Sequence, residues 1–315
     1  LMLEPAFKNY IWGGEKLRTD FNKKCDFDRV AESWELSCHK DGNSVILNGE
    51  FKGKTLEEYI KSSGKAVLGK NCDRFEYFPV LIKLIDAKDN LSVQVHPDND
   101  YALKNEGEYG KTEMWYIVDC DEGSSLIYGL NKEISKEEFS ERIKNNTLLE
   151  VTNSVPVKKG DVFFIESGTL HAIGKGIVIA EIQQNSNTTY RVFDYGRIGA
   201  DGKPRPLHVE KAIEVTSLKP LPERAPISYE NFEGFEKVCL SSCEYFNVYK
   251  YNITKSAVFN ADEKSFNSVL VIDGSGLLNY ENKNTEINKG DSVFIPAGMG
   301  KYIISGNLSV ILTDI

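Results

Sequence analysis

Lys159-Gly-Asp-Val-Phe-Phe-Ile-Glu-Ser-Gly-Thr-Leu-His171 lines up without gaps against Lys289-Gly-Asp-Ser-Val-Phe-Ile-Pro-Ala-Gly-Met-Gly-Lys301. Both copies read Lys-Gly-Asp, then three variable or apolar residues opening a strand, then Ile, two further residues and Gly. The glycines permit turns at the strand ends, and the apolar run between them fits a buried strand. Upstream, Glu113-Met-Trp-Tyr-Ile-Val-Asp119 is loosely echoed by Ser268-Val-Leu-Val-Ile-Asp273. The chain is therefore read as two related β units. They differ where chemistry would sit: His171 of the first copy is Lys301 in the second, which has no histidine at all.

This repeat resembles the cupin superfamily, whose members are jelly-roll barrels. The spacing Gly-x5-Pro-x-Gly stands at residues 290–298; the first copy has Glu166 where proline is usual. The resemblance implies a mainly β fold with two cupin-type jelly-roll barrels in tandem and a few helices inserted in the N-terminal half. The first barrel is expected to carry the site, the second to be a degenerate partner kept for packing.

Outside the repeat, short Val-, Ile-, Phe- and Tyr-rich runs alternate with Gly, Asn and Asp turns, as at 81–86, 113–119 and 161–166. Helical signals are few. Ser135-Lys-Glu-Glu138 is a capping-box pattern, followed by helical spacing to residue 149, an insertion found only in the first copy. Further helices are expected over 55–62 and 208–215. Three prolines in 219–226 mark an extended connector. The expected division is a catalytic unit over 1–218, the connector over 219–226 and a degenerate barrel over 227–315.

Composition narrows the function. Apolar residues make up 41% and charged ones 27% of 315 residues, as in a folded protein. A net charge of −9 argues against nucleic-acid binding, which rests on phosphate neutralisation. It leaves room for a small anionic substrate, because two or three local cations make a site. The longest apolar runs, at 78–85 and 177–182, fall far short of the ~20 residues that span a bilayer, and no segment has the order of a signal peptide. Six scattered cysteines without a Cys-x-x-Cys pair read as free thiols of a cytoplasmic protein. Cys239 and Cys243 lie in strand-like sequence without a nearby histidine, which disfavours a metal role. No Walker or Rossmann glycine loop is present, so nucleotide chemistry is not expected.

Four histidines occur. Alternation in Ser92-Val-Gln-Val-His96 puts Ser92, Gln94 and His96 on one strand face and Val93 and Val95 on the other. Glu113 opens another apolar strand, where an unpaired carboxylate is costly. His171 follows Gly168, where cupin barrels commonly present a metal ligand. Two histidines and one carboxylate form a recurring metal set that leaves positions open for water or substrate. Residue types alone leave the other reading open, that these are hydrogen-bonded core histidines.

Gln94-Val-His-Pro-Asp98, Gly110-Lys-Thr-Glu-Met-Trp115, Gly168-Thr-Leu-His-Ala172 and Asn187-Thr-Thr-Tyr-Arg191 together resemble type I mannose-6-phosphate isomerases. Tyr10-Ile-Trp-Gly-Gly14 and Ala31-Glu-Ser-Trp34 are similar to that family's N-terminal motifs, and the chain looks like its short bacterial form. The resemblance implies a zinc-dependent aldose–ketose isomerase with one ion per chain, interconverting mannose 6-phosphate and fructose 6-phosphate through an enediolate. It carries the metal ligands to Gln94, His96, Glu113 and His171. Glutamine is a poor zinc ligand, so His96, Glu113 and His171 are taken as the metal set, with Gln94 bonding a ligand or the sugar.

The proton between C1 and C2 needs a base other than a metal-bound histidine. Glu181, on the apolar strand over 177–182, is the candidate: burial raises a carboxylate's pKa toward a useful range. Its other reading is a salt bridge to Arg191. Lys111, two before Glu113, is implied as a catalytic residue that moves protons or holds charge, or else is a solvated turn lysine. Arg191 matches the family's active-site arginine, steadying the enediolate or gripping phosphate. Ser92 is a candidate phosphate contact or a packed core serine. His39 and His208 are read as structural. Two other classes stay open: a non-catalytic phosphosugar-binding cupin and an iron-dependent cupin oxygenase. The expected partner is a small phosphosugar, with neither nucleic acid nor membrane; the oligomeric state is left open.

Overall fold

The computed structural model describes residues 1–199 and 202–315. The chain folds into antiparallel sheets joined by short helices, and no helix is long and apolar enough to cross a membrane. A six-stranded sheet runs in the order Val162–Ile165, Glu113–Cys120, Ile177–Gln184, Val80–Ala87, Glu32–Leu36, Ala6–Lys8. Beside it a five-stranded sheet runs Thr152–Pro156, Ser125–Leu130, His171–Ala172, Val93–Val95, Tyr190–Phe193. A ten-stranded sheet holds the C-terminal unit. It also recruits strand Met2–Glu4, which pairs with Ser292–Ile295, and Val45–Ile46. Among the described residues no sheet closes on itself.

The six-stranded sheet is covered on both faces, which explains why Val80–Ala87 and Ile177–Gln184 are buried at every position. One face carries Ile82, Leu84, Met114, Tyr116, Ala180 and Ile182 into a core shared with Val248, Leu270, Phe294 and Ile311 of the C-terminal unit. The opposite face carries Ile85, Trp115, Ile117 and Ile179 toward Leu126 of the five-stranded sheet. The period of two then places Glu113, Lys83 and Glu181 on this second face.

The repeat is real at the level of hydrogen bonds. Gly160 and Gly290 take φ of 94° and 95°. Asp161 accepts from the Lys158 amide at 3.0 Å, and Asp291 from the Asn288 amide at 2.7 Å. Strand Val162–Ile165 pairs Ile165 with Glu113, as strand Ser292–Ile295 pairs Ile295 with Asn267. Following the registers, Gln94 corresponds to Asn260, Trp115 to Val269, Glu181 to Leu312 and Lys83 to Tyr249. The second unit fills this interior with Val269, Val271, Tyr302, Ile304 and Leu312. The insertion is confirmed: the first copy spends residues 131–151 between strands that the second joins through Glu281 and Asn282, both at positive φ.

The expected helices form, with shifts at their ends. Thr55 caps Leu56–Ser63 in a full capping box with Glu58. Ser135 caps Lys136–Lys144, but the Glu138 carboxylate turns to Lys132 and Arg142, so the reciprocal bond is not made. That helix stops before 149, because Asn146 takes φ 56°, and a 3-10 turn, Leu148–Val151, follows. The third, Val209–Val215, begins after His208. Helix Asn99–Asn105, capped by Asp98, carried no signal strong enough to be expected. Residues 221–229 form neither helix nor strand. All six cysteines are free.

A buried ion pair ties the two units. Lys23 Nζ lies 2.7 Å from Glu35 Oε2 and also donates to the Gly290 carbonyl in the second Lys-Gly-Asp turn. Ser33 donates to the other Glu35 oxygen at 2.6 Å. Removing one partner strands a charge in a site where Glu35 is 1% exposed. Lys23→Ala is expected to lower unfolding free energy by about 3–5 kcal/mol in urea titration, and replacing both Lys23 and Glu35 by Met to recover much of that loss.

Candidate active site

His96, at the end of strand Val93–Val95, meets His171, whose strand pairs with Gln94, and Glu113, which opens its strand in the facing sheet. His96 Nδ1 lies 2.9 Å from the Thr188 carbonyl and His171 Nδ1 2.8 Å from that of Thr169. Donation to these carbonyls places each proton on Nδ1 and turns each Nε2 lone pair inward. The two Nε2 atoms stand 3.1 Å apart, and 3.5 and 3.2 Å from Glu113 Oε1. Burial, aided by the Lys111 charge, pushes the His96 pKa well down; burial also lowers that of His171 against the pull of Glu113. Both rings are thus held neutral, the form that binds metal. Glu113 is fully buried, and neither of its oxygens accepts a hydrogen bond. Two lone pairs and an unbonded carboxylate converging within 4.8 Å fit a metal ion, with the Thr carbonyls as the supporting outer contacts.

Lys111 is no solvated turn lysine. It is 4% exposed, with Nζ 3.1 Å from His96 Nε2 and 3.3 Å from Glu113 Oε2. Gln94 Nε2 is 3.4 Å from His171 Nε2, so in this orientation its amide nitrogen, not its oxygen, faces the cluster. Ser92 donates to Gln94 Oε1 at 3.4 Å and accepts from Arg191 Nε at 3.2 Å. The face expected for Ser92, Gln94 and His96 therefore exists and leads on to Arg191.

Glu181 does not pair with Arg191. Its partner is Lys83, directly across the strand pair, with Nζ 3.1 Å from Oε1, while Trp115 Nε1 donates to Oε2 at 3.0 Å. Lys83 is 3% exposed and also faces Glu32 at 3.6 Å. Burial pulls its ammonium pKa down, but Glu32 and Glu181, with Glu113 behind, outweigh that and hold it above the ordinary range. Glu32 in turn accepts from Trp34 Nε1 at 2.7 Å. Sequence reasoning missed Lys83; the available signal was a lone lysine inside the apolar run of residues 80–85.

Above the cluster opens a polar cleft of about 280 Å³, lined by Lys83, Lys111, Glu181, Gln94, Arg191 and Arg205 among others. At one end Asp194 receives both Arg205, at 2.5 and 2.7 Å, and Arg197, at 2.6 Å. Burial opposes ionisation of Asp194, yet those two guanidinium groups hold its carboxyl below the ordinary range. Three arginines against one carboxylate leave this end cationic. His39 lies outside the cleft, beside Glu108, which accepts from the Asn187 amide at 3.2 Å and so steadies the loop holding His96. A larger cavity of about 400 Å³, between Ile60, Leu68, Phe75 and Phe78, has a mainly apolar wall and none of these convergent groups. The chemistry belongs to the polar cleft.

Residues 1–122 match the family model for the catalytic domain of type I phosphomannose isomerase, and 236–315 that for the mannose-6-phosphate isomerase cupin domain. The chain is 40% identical to mannose-6-phosphate isomerase ManA of Bacillus subtilis, over 100% of this chain and 98% of that protein. It is 39% identical to the mannose-6-phosphate isomerase of Streptococcus mutans, over 99% and 96%. The crystal structure of a Bacillus subtilis mannose 6-phosphate isomerase superposes with a TM-score of 0.94 at 40% identity, over 100% of this chain and 99% of that one.

His96→Ala and His171→Ala are each expected to weaken divalent-ion binding at least tenfold in equilibrium dialysis, with the fold retained by circular dichroism. Arg191→Ala, which contributes no ligand, is expected to bind the ion like the parent.

Proposed function

The chain belongs to the type I phosphomannose isomerase family, and on that premise we propose that it interconverts mannose 6-phosphate and fructose 6-phosphate with one zinc ion held by His96, Glu113 and His171. The observation that carries this reading is the convergence of those three buried donors beneath a cleft lined by Lys83, Lys111, Glu181 and Arg191. When bound, the ion supplies Lewis-acid polarisation of the sugar oxygens at C1 and C2.

From aldose to ketose the C2 proton leaves to a base and the C1 carbonyl oxygen takes up the charge; the C2 hydroxyl proton passes to the C1 oxygen, and the base returns its proton to C1 as the C2 oxygen becomes the carbonyl. Glu181 is the proton carrier in this reading. Trp115 and Lys83 hold its carboxylate by one oxygen each, which fixes its position over the cleft. The Lys111 and Lys83 ammonium groups face the developing charge from a site that excludes most water, where each is worth more than in solvent. Ser92 and Gln94 contact the sugar, and Arg191 is oriented by Ser92 toward the same oxygens. Arg205, lining the cationic end, faces the phosphate.

The same reading makes residues 1–218 the catalytic unit, 219–226 the connector and 227–315 a degenerate partner, both units being jelly-roll barrels of cupin type. The shared Lys-Gly-Asp turn geometry supports this, as the apolar interior of the second unit supports its lack of a site. Six free thiols favour a cytoplasmic location.

Conversion of mannose 6-phosphate to fructose 6-phosphate is expected to fall with chelation and return with zinc; turnover that survives complete metal removal overturns the assignment. Glu181→Gln is expected to keep zinc and lose on the order of 10²–10⁴ in kcat, together with exchange of the C2 proton with solvent deuterium. Exchange at the parent rate in that variant removes Glu181 from the role.

A further inference from the structure

Two residues from one short segment grip Arg191. Its backbone N–H points at His208 Nδ1, 3.2 Å away, and its carbonyl accepts from the His208 backbone N–H at 2.8 Å. The guanidinium donates from Nη1 to the Pro206 carbonyl at 3.1 Å and from Nε to Ser92. His208 lies just ahead of helix Val209–Val215, and that helix packs on strand Tyr190–Phe193, which carries Arg191.

We propose that His208 is a positioning residue of the isomerase: its neutral imidazole, by accepting the Arg191 amide proton, sets the strand and hence the guanidinium at the cleft. The inference rests on the isomerase reading above. An imidazole that accepts at Nδ1 carries its proton on Nε2. Protonation puts a second N–H on Nδ1, facing the Arg191 N–H, so the acceptor is lost and a cation stands beside the guanidinium. The groups around the ring are Arg191 and Tyr190 on the strand, Lys211 on its own helix and Glu106 at the end of helix Asn99–Asn105. Burial first, then Arg191 and Lys211, lower the His208 pKa, with Glu106 opposing. The accepting form therefore persists to pH values below the ordinary histidine range.

The sign follows. Arg191 is held when His208 is neutral, so this contribution is present at neutral pH and is lost as pH falls through the lowered pKa. His208→Asn presents an amide oxygen close to where Nδ1 stood and does not titrate. His208→Leu presents no acceptor. In zinc-loaded enzyme assayed with mannose 6-phosphate, His208→Leu is expected to lose roughly tenfold to a hundredfold in kcat, while His208→Asn stays within roughly threefold of the parent. Zinc content should match the parent in both. The ratio of parent to His208→Asn kcat should fall as pH is lowered, because acid losses at the metal ligands are common to both and cancel. His208→Leu at parental kcat, or an Asn variant as impaired as Leu, overturns the proposal. So does a ratio flat down to the acid limit, and that measurement decides the matter even if the Leu variant fails to fold. Absence of turnover in the parent itself would instead refute the isomerase reading.

Discussion

A fully buried carboxylate that accepts no hydrogen bond governs this site. Glu113 is fully buried, and the nearest polar atoms are two histidine nitrogens with inward lone pairs and the Lys111 ammonium. A charge buried here without a partner would be unfavourable by several kcal/mol, and Lys111, 3.3 Å away, supplies a cation. The Thr188 and Thr169 carbonyls fix both histidines in the tautomer that leaves Nε2 open to one. The same logic extends along the face, where Lys83 sits between Glu32 and Glu181. Charges buried in opposite-sign pairs can be preorganised for a reaction without unfolding the sheet that carries them.

The six-stranded sheet makes this tolerable. Its far face is mainly apolar and shares a core with the C-terminal unit, so stability gained there offsets the charged row opposite. The C-terminal unit shows the alternative outcome of the same strand framework. The turns, registers and glycine conformations are retained, while Glu113, Glu181 and Lys83 are replaced at their equivalent positions by Asn267, Leu312 and Tyr249. Where Glu113 stands in the first unit, Asn267 donates to the Tyr302 hydroxyl at 2.9 Å. One copy holds charge for chemistry; the other packs.

Much of the site was legible because its residues lie in short local patterns. Alternation put Ser92, Gln94 and His96 on one face, and the cupin resemblance pointed to His171 after Gly168. Lys111 came from the family resemblance, beside Glu113, though its burial was not evident. Two contacts were not legible for one reason. Glu181, read as the base or else as a partner of Arg191, meets Lys83, and His208, read as structural, backs Arg191 from a segment seventeen residues on. Both contacts depend on which strands and helices become neighbours, and spacing along the chain carries no record of that.

Local chemistry therefore determined the strand-and-turn character, the repeat and the capped helices, because each depends on side-chain period or on a turn a few residues long; the candidate metal set came from the family resemblance. Tertiary structure alone decided which cations face which carboxylates. It also decided that strand Met2–Glu4 closes against the far end of the chain and that the charged row lies opposite an apolar one. Those outcomes arise from register between distant strands, where burying one face commits every alternate residue on the other.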